Sequence, residues 1–116
     1  MAVESITMDG VSDDHDAVGS EMKGSVIRWL DSEWMKQEVH VKMADSCMRS
    51  YIRCRKEGVD DLMAIMVQVA DDLQSKWYEE YDADAFVSSW DVANYVSDYL
   101  AAQTGAERCE CSARIH

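Results

Sequence analysis

The sequence predicts an all-α protein, and three observations lead to that fold class. The 116 residues include no proline, the residue that most strongly breaks helix interiors. Apolar residues recur at the three- and four-residue spacings of helix faces, and no alternating run is long enough for a sheet strand. The length suits one domain with one core. We therefore expect a small helical bundle of three main helices plus a short N-terminal helix.

The chain is predicted to begin with a mobile acidic arm. Residues 1–21 carry six acidic side chains, no Lys or Arg, and two glycines, and they show little periodicity; such a composition favours disorder. The helical domain is then expected to span residues 22–104. Within it, a leading helix is predicted over residues 24–31 from a short apolar stripe: Val26, Ile27, Trp29 and Leu30.

The longest predicted helix covers residues 33–57, which contain no glycine. Ser32 can cap its start, although this helix and the leading one could also be continuous. Gly58 can end it in the left-handed conformation. One face carries residues at alternating spacings of four and three, which is typical of a helix side turned to a core: His40, Ala44, Cys47, Tyr51 and Cys54.

Two further helices are predicted over residues 60–80 and 88–103. The second has the better start, since Ser88 at the N-cap and Asp91 three residues later form a variant of the capping box. We expect Trp90 to lie on the inward face of that helix. Residues 105–116 are polar and are predicted to form a flexible tail.

The net charge of −12 is unevenly distributed. Residues 22–58 hold eight basic and five acidic side chains, whereas residues 59–105 hold one and ten. Nucleic acid is an unfavourable partner for so acidic a chain. The basic residues of the second helix either pair with acids such as Asp60, Asp71 or Glu79 across a hairpin or recruit an acidic partner.

Targeting and redox features favour an intracellular protein. The acidic start resembles neither a secretory signal nor a transit peptide, and no apolar run reaches the roughly 20 residues of a membrane span. Cys47 and Cys54 lie two helical turns apart, beyond disulfide reach. We expect a cytoplasmic location, or an organelle interior after removal of a presequence.

No arrangement of residues predicts catalysis. The nucleophile, phosphate-loop, dinucleotide and zinc-protease motifs are all absent from the sequence, so we expect neither an enzyme nor a cofactor. An alternative is a soft-metal or redox-sensing protein that uses Cys, Met and His on helix faces, or the Cys109-Glu110-Cys111 tail. We assign no metal ligands.

The favoured function is a non-catalytic protein-interaction module, such as an adaptor, assembly factor or small subunit of a complex. Four tryptophans and eight methionines exceed what a core of this size needs, and both types are common in partner surfaces. We expect a protein partner and leave a homo-oligomer open. The candidate partner-binding residues are Trp29, Trp34, Trp77 and Tyr81, with Arg49 and Arg53 as a polar rim.

Overall fold

The structure, a computed structural model, describes residues 6–81, 87–105 and 115–116. Its four helices are α1 (His15–Glu33), α2 (Glu38–Lys56), α3 (Leu62–Ser75) and α4 (Ser89–Gln103). α1 packs on α2, α2 on α3, and α3 on α4, while α1 also contacts α4. The described residues contain no strand beyond an isolated bridge between Thr7 and Asp61. The predicted all-α class is confirmed.

The prediction of a mobile arm is wrong for residues 6–21; residues 1–5 lie outside the described residues. Asp14 caps α1, because its carboxylate accepts a hydrogen bond from the Ala17 N–H at 3.1 Å. Ahead of the helix, the side chain of Met8 is fully buried. The Met8 N–H donates to the Asp60 carbonyl at 2.8 Å. The N-terminal segment therefore docks on the α2–α3 connection, and the helical domain begins well before residue 22.

Gly19 explains why sequence periodicity missed the first half of α1. A Cβ atom at this position would lie 2.9 Å from Cγ1 of Ile52 and 3.1 Å from Cγ of Met48. The glycine thus lets α1 approach α2 closely, where a larger residue would force the helices apart. A residue that normally weakens a helix here permits close packing of two helices.

α1 and α2 are separate helices, but the break differs from the one predicted. Ser32 lies inside α1, and its hydroxyl donates to the Trp29 carbonyl at 2.8 Å. The chain leaves the helix at Trp34, which is extended, and α2 starts at Glu38. His40 is buried at the start of α2, and its Nδ1 lies 2.7 Å from Oδ1 of Asp31. This contact ties the two helices across their connection.

The predictions for the remaining helices, α2 to α4, are confirmed in part. All five predicted inward residues of α2 are buried, and Gly58 has the left-handed φ of +84° expected after a helix. α3 ends at Ser75, five residues earlier than predicted. The capping box of α4 is present, because the Ser88 hydroxyl accepts from the Asp91 N–H and the Asp91 carboxylate accepts from the Ser88 N–H.

The last two residues of the predicted flexible tail are held against the bundle. The His116 N–H donates to the Tyr95 hydroxyl at 2.8 Å, and Nε of Arg28 donates to the His116 carbonyl at 2.8 Å. These contacts join the chain end to α1 and α4. The prediction of a flexible tail over 105–116 is therefore wrong for residues 115–116, while residues 106–114 lie outside the described residues.

None of the helices in the described part of the chain combines the length and the apolar character needed to cross a membrane.

Candidate functional site

Three of the predicted partner-binding residues are core residues. Trp29, Trp77 and Tyr81 are buried in the bundle, so none is available to a partner on the surface. This corrects the prediction made from their polar aromatic character: each occupies an inward position because its ring fills space between helices. Trp34 is half-buried against the same core, and Arg49 and Arg53 are exposed.

The burial of Trp29 has a specific geometry. Its ring stacks on Tyr95 with centroids 4.4 Å apart and planes 7° from parallel, while Trp34 meets it edge-on at 6.0 Å. The Tyr95 hydroxyl lies 2.6 Å from the Ser25 hydroxyl, so the polar end of the ring is satisfied. Trp29 therefore joins α1 to α4.

Three of the large apolar side chains that reach solvent lie on α3 and α4, while Met35, Val41 and Tyr78 are exposed elsewhere in the described residues. We call the α3–α4 surface the area formed by Met63, Val67 and Trp90, whose exposed fractions are 55%, 50% and 50%. Val67 and Trp90 line a groove of about 220 Å³ together with Ala70, Gln68, Asp71 and Gln74. Met63 stands one turn before Val67 and extends the apolar face along α3. The exposed apolar side chains of this surface are different from the aromatic residues named from the sequence.

The sequence held one signal for this surface, in α3. Residues 62–70 of α3 are apolar except for Gln68, so the helix is apolar almost all round and cannot turn every such side chain toward one core. Trp90 was predicted to point inward, which is wrong. Ser89 and Val92 occupy the buried side of the first turn of α4, and successive side chains rotate by about 100°, which carries Trp90 outward.

The α3–α4 surface is also acidic. Neither α3 nor α4 contains a Lys or Arg. Asp71 lines the groove, and Asp91 follows Trp90 in the first turn of α4. An apolar groove with a carboxylate in its lining, on helices without a cation, suits a ligand that combines apolar side chains with positive charge.

The basic residues Arg49 and Arg53 lie elsewhere, on the side of α2 that faces α3. Nε of Arg49 lies 2.9 Å from Oδ2 of Asp45, and Nη2 of Arg53 lies 2.6 Å from Oδ2 of Asp72. The predicted charge pairing across the hairpin is therefore present through Asp72. Asp60, Asp71 and Glu79, the acids named from the sequence, take part in none of the ion pairs found among the described residues.

Residues 7–100 match the sequence profile of a family described as Domain of unknown function (DUF8822). The chain belongs to this family. No curated protein and no solved structure matches the chain.

The DUF8822 match begins within the docked N-terminal segment and continues into the last turns of α4. It therefore includes every residue of the α3–α4 surface. Cys109 and Cys111, the cysteines of the alternative metal or redox hypothesis, lie outside both the match and the described residues.

The two described cysteines are poorly placed for soft-metal or redox chemistry. Both are free thiols inside the core. Burial raises the pKa of Cys47 to about 12 and outweighs a backbone hydrogen bond; burial also raises the pKa of Cys54. Because the thiolate is the reactive and metal-binding form, neither the Cys47 nor the Cys54 thiol is activated as a nucleophile or a metal ligand. Within the described residues, no three His, Cys, Asp or Glu side chains are grouped so as to hold a metal ion.

Thiol reactivity tests this placement. In a variant with Cys109→Ser and Cys111→Ser, we expect Cys47 and Cys54 to react with a disulfide reagent about 100-fold or more slowly in the native state than in urea, because the thiols are buried and protonated. Absorbance of the released thiol measures both rates. Native and unfolded rates of similar size would contradict the burial and favour the redox hypothesis.

Proposed function

We propose that this DUF8822 domain is a non-catalytic protein-interaction module that binds a basic amphipathic helix of a partner protein on its α3–α4 surface. The observation that carries the proposal is the half-exposed Trp90 beside Val67 on a common groove. A large aromatic ring left in water next to other apolar side chains marks an interaction surface more often than a solitary exposed residue does.

The shape of the surface favours a helical partner. The exposed apolar residues of α3 are four positions apart along the helix, and Trp90 closes the groove from α4. A partner helix with apolar residues at three- and four-residue spacing can place them along such a groove. Burial of the exposed part of Trp90 would supply the central contact, since tryptophan is enriched among the residues that dominate binding energy.

The charge selects the kind of partner. Asp71 lines the groove beside the apolar residues, and neither α3 nor α4 supplies a compensating cation. Two copies of this chain meeting through this surface would bring like charges together, which disfavours self-association there. A segment that flanks its apolar residues with Lys or Arg is complementary to the surface and is the occupant that we propose.

The groove variants Trp90→Ser and Val67→Ser test the proposal. With tagged protein as bait in an extract of its source, we expect quantitative mass spectrometry to find a partner held by the unmodified chain and lost by both variants. With the purified partner, Trp90→Ser should weaken binding about 30-fold or more, the effect of losing a central contact worth about 2 kcal/mol. Calorimetry would measure that change and its weakening with added salt.

The matched control is Tyr78→Ser, which removes an aromatic side chain that is 80% exposed and does not line the groove. It should retain the partner with unchanged affinity. Loss of binding in the Tyr78 variant, or full retention in the Trp90 variant, would contradict the proposed surface. Thermal melts of all variants separate binding defects from unfolding.

A further inference from the structure

A second groove, between α2 and α3, concentrates positive charge in this acidic protein. It has a volume of about 220 Å³. Three cations from two helices line it, Arg49 and Arg53 from α2 and Lys76 from the end of α3, together with the small side chains of Ser46, Ser50 and Ser75. We call it the α2–α3 groove. It lies on the α2 side of α3, whereas Trp90 and the α3–α4 surface lie on the α4 side.

The one acidic residue of the groove, Asp72, is already engaged. Its Oδ2 accepts hydrogen bonds from the Ser50 hydroxyl and from Nη2 of Arg53, both at 2.6 Å, and its Oδ1 accepts from Nε2 of Gln68 at 3.0 Å. Burial opposes ionisation of this carboxyl, but these three hydrogen bonds and the charge of Arg53 outweigh it and lower the pKa of Asp72. Asp72 thus offsets the charge of Arg53, and Asp45 offsets that of Arg49 from outside the groove lining, so the groove keeps a net positive charge through Lys76.

The cations keep donors free for a ligand. Arg49 contacts Asp45 through Nε, and Arg53 contacts Asp72 through Nη2, so the other N–H groups of both guanidinium forks have no acceptor among these contacts. Lys76 forms no ion pair within the described part of the chain. A guanidinium fork matches the oxygens of a phosphate geometrically, and an ammonium adds a compact charge.

We infer that the α2–α3 groove binds a phosphate group, carried either by a small phosphate ester or by a phosphorylated side chain. The charge of Lys76 and the remaining N–H donors of the two paired guanidinium groups favour an anion with several acceptor oxygens, as phosphate has. The volume is below the roughly 300–1,000 Å³ typical of pockets for drug-sized ligands, so the groove takes the phosphate and the atoms next to it. This site is independent of the α3–α4 surface and its partner.

Titration of the full chain with inorganic phosphate and with a peptide carrying one phosphoserine tests the inference. Two-dimensional NMR should show saturable shifts at the Arg49 and Arg53 side-chain Nε–H signals and at the amides near Lys76, with a dissociation constant in the millimolar range or tighter. Equal affinities would identify a small phosphate ester as the source, and tighter binding of the phosphopeptide would identify a phosphorylated protein. The unphosphorylated peptide should leave these signals unchanged.

The variants Arg49→Gln and Lys76→Gln should each weaken binding about three- to tenfold, since each removes a charge-assisted contact. Lys36→Gln is the charge-matched control, because Lys36 is exposed in the connection between α1 and α2, away from the groove. Shifts that never saturate, that sodium chloride reproduces at equal ionic strength, or that survive in the Arg49/Lys76 double variant would overturn the inference. Circular dichroism confirms that each variant is folded.

Discussion

Replacing Trp29 with alanine should destabilise the domain by about 3–5 kcal/mol, the range for removing a large aromatic side chain from a packed core. The indole stacks on Tyr95 at 4.4 Å and packs edge-on against Trp34, so its removal leaves a cavity where α1 meets α4. That loss is a large share of the roughly 5–15 kcal/mol that a domain has in total. Urea unfolding would show it as a lower midpoint.

Trp90→Ala is the matched control, because it removes the same side chain from a half-exposed position. We expect it to change stability by less than about 1 kcal/mol, as surface substitutions usually do. If Trp29→Ala does not fold, Trp29→Phe can be measured in its place. This variant keeps an aromatic ring against Tyr95, so its loss of stability should lie between those expected for Trp29→Ala and Trp90→Ala. Equal losses for Trp29→Ala and Trp90→Ala would contradict the burial of Trp29 and return it to the candidate contact residues.

The second large effect is expected at Gly19. A Gly19→Leu substitution should destabilise the domain by about 2–3 kcal/mol, because even the first side-chain carbon would press on Ile52 and Met48 of α2, and overpacking of this kind forces helices apart. Thermal unfolding by circular dichroism would measure the loss. A variant as stable as the unmodified chain would show that α1 and α2 are not so closely packed.

A pair of alanine substitutions isolates the contact from helix propensity. Gly19→Ala and Gly24→Ala gain the same helix propensity, about 1 kcal/mol. The new Cβ at Gly24 meets only the flexible end of Arg28, so Gly24→Ala should stabilise the protein. In Gly19→Ala, the contact of the new Cβ with Ile52 should cancel the stabilisation from helix propensity. The stabilisation should return when Ile52 is also changed to alanine, because substitutions at touching residues are not additive.

Short-range sequence patterns were enough to predict the helix ends that depend on neighbouring residues. The capping box at Ser88 and the left-handed Gly58 were both predicted and both are present, since each depends on side-chain and backbone geometry within a few residues. The inward face of α2 followed from periodicity alone. Periodicity did not predict the first half of α1. Gly19 normally weakens a helix, and its packing partner Ile52, which accounts for the glycine, is distant in sequence.

The partner-binding residues were the part least accessible from sequence. Composition does not distinguish an aromatic side chain that fills the core, such as Trp77, from one that faces water, such as Trp90. Which outcome holds depends on the rotation of each helix against its neighbours. The sequence showed a surplus of tryptophan and methionine, but only the packing shows that Met63, Val67 and Trp90 are left exposed together.

By itself, the sequence determined the helical class, the two best-defined helix ends and the polarity between a basic α2 and acidic α3 and α4, because propensity, capping and charge are properties of nearby residues. Only the tertiary structure decided that the N-terminal segment docks, that Trp29 and Tyr81 are core, and that α3 borders two grooves, one lined by Arg49 and Arg53 of α2 and the other by Asp71. Those outcomes depend on which distant side chains compete for the same buried space, and no short-range pattern records that competition.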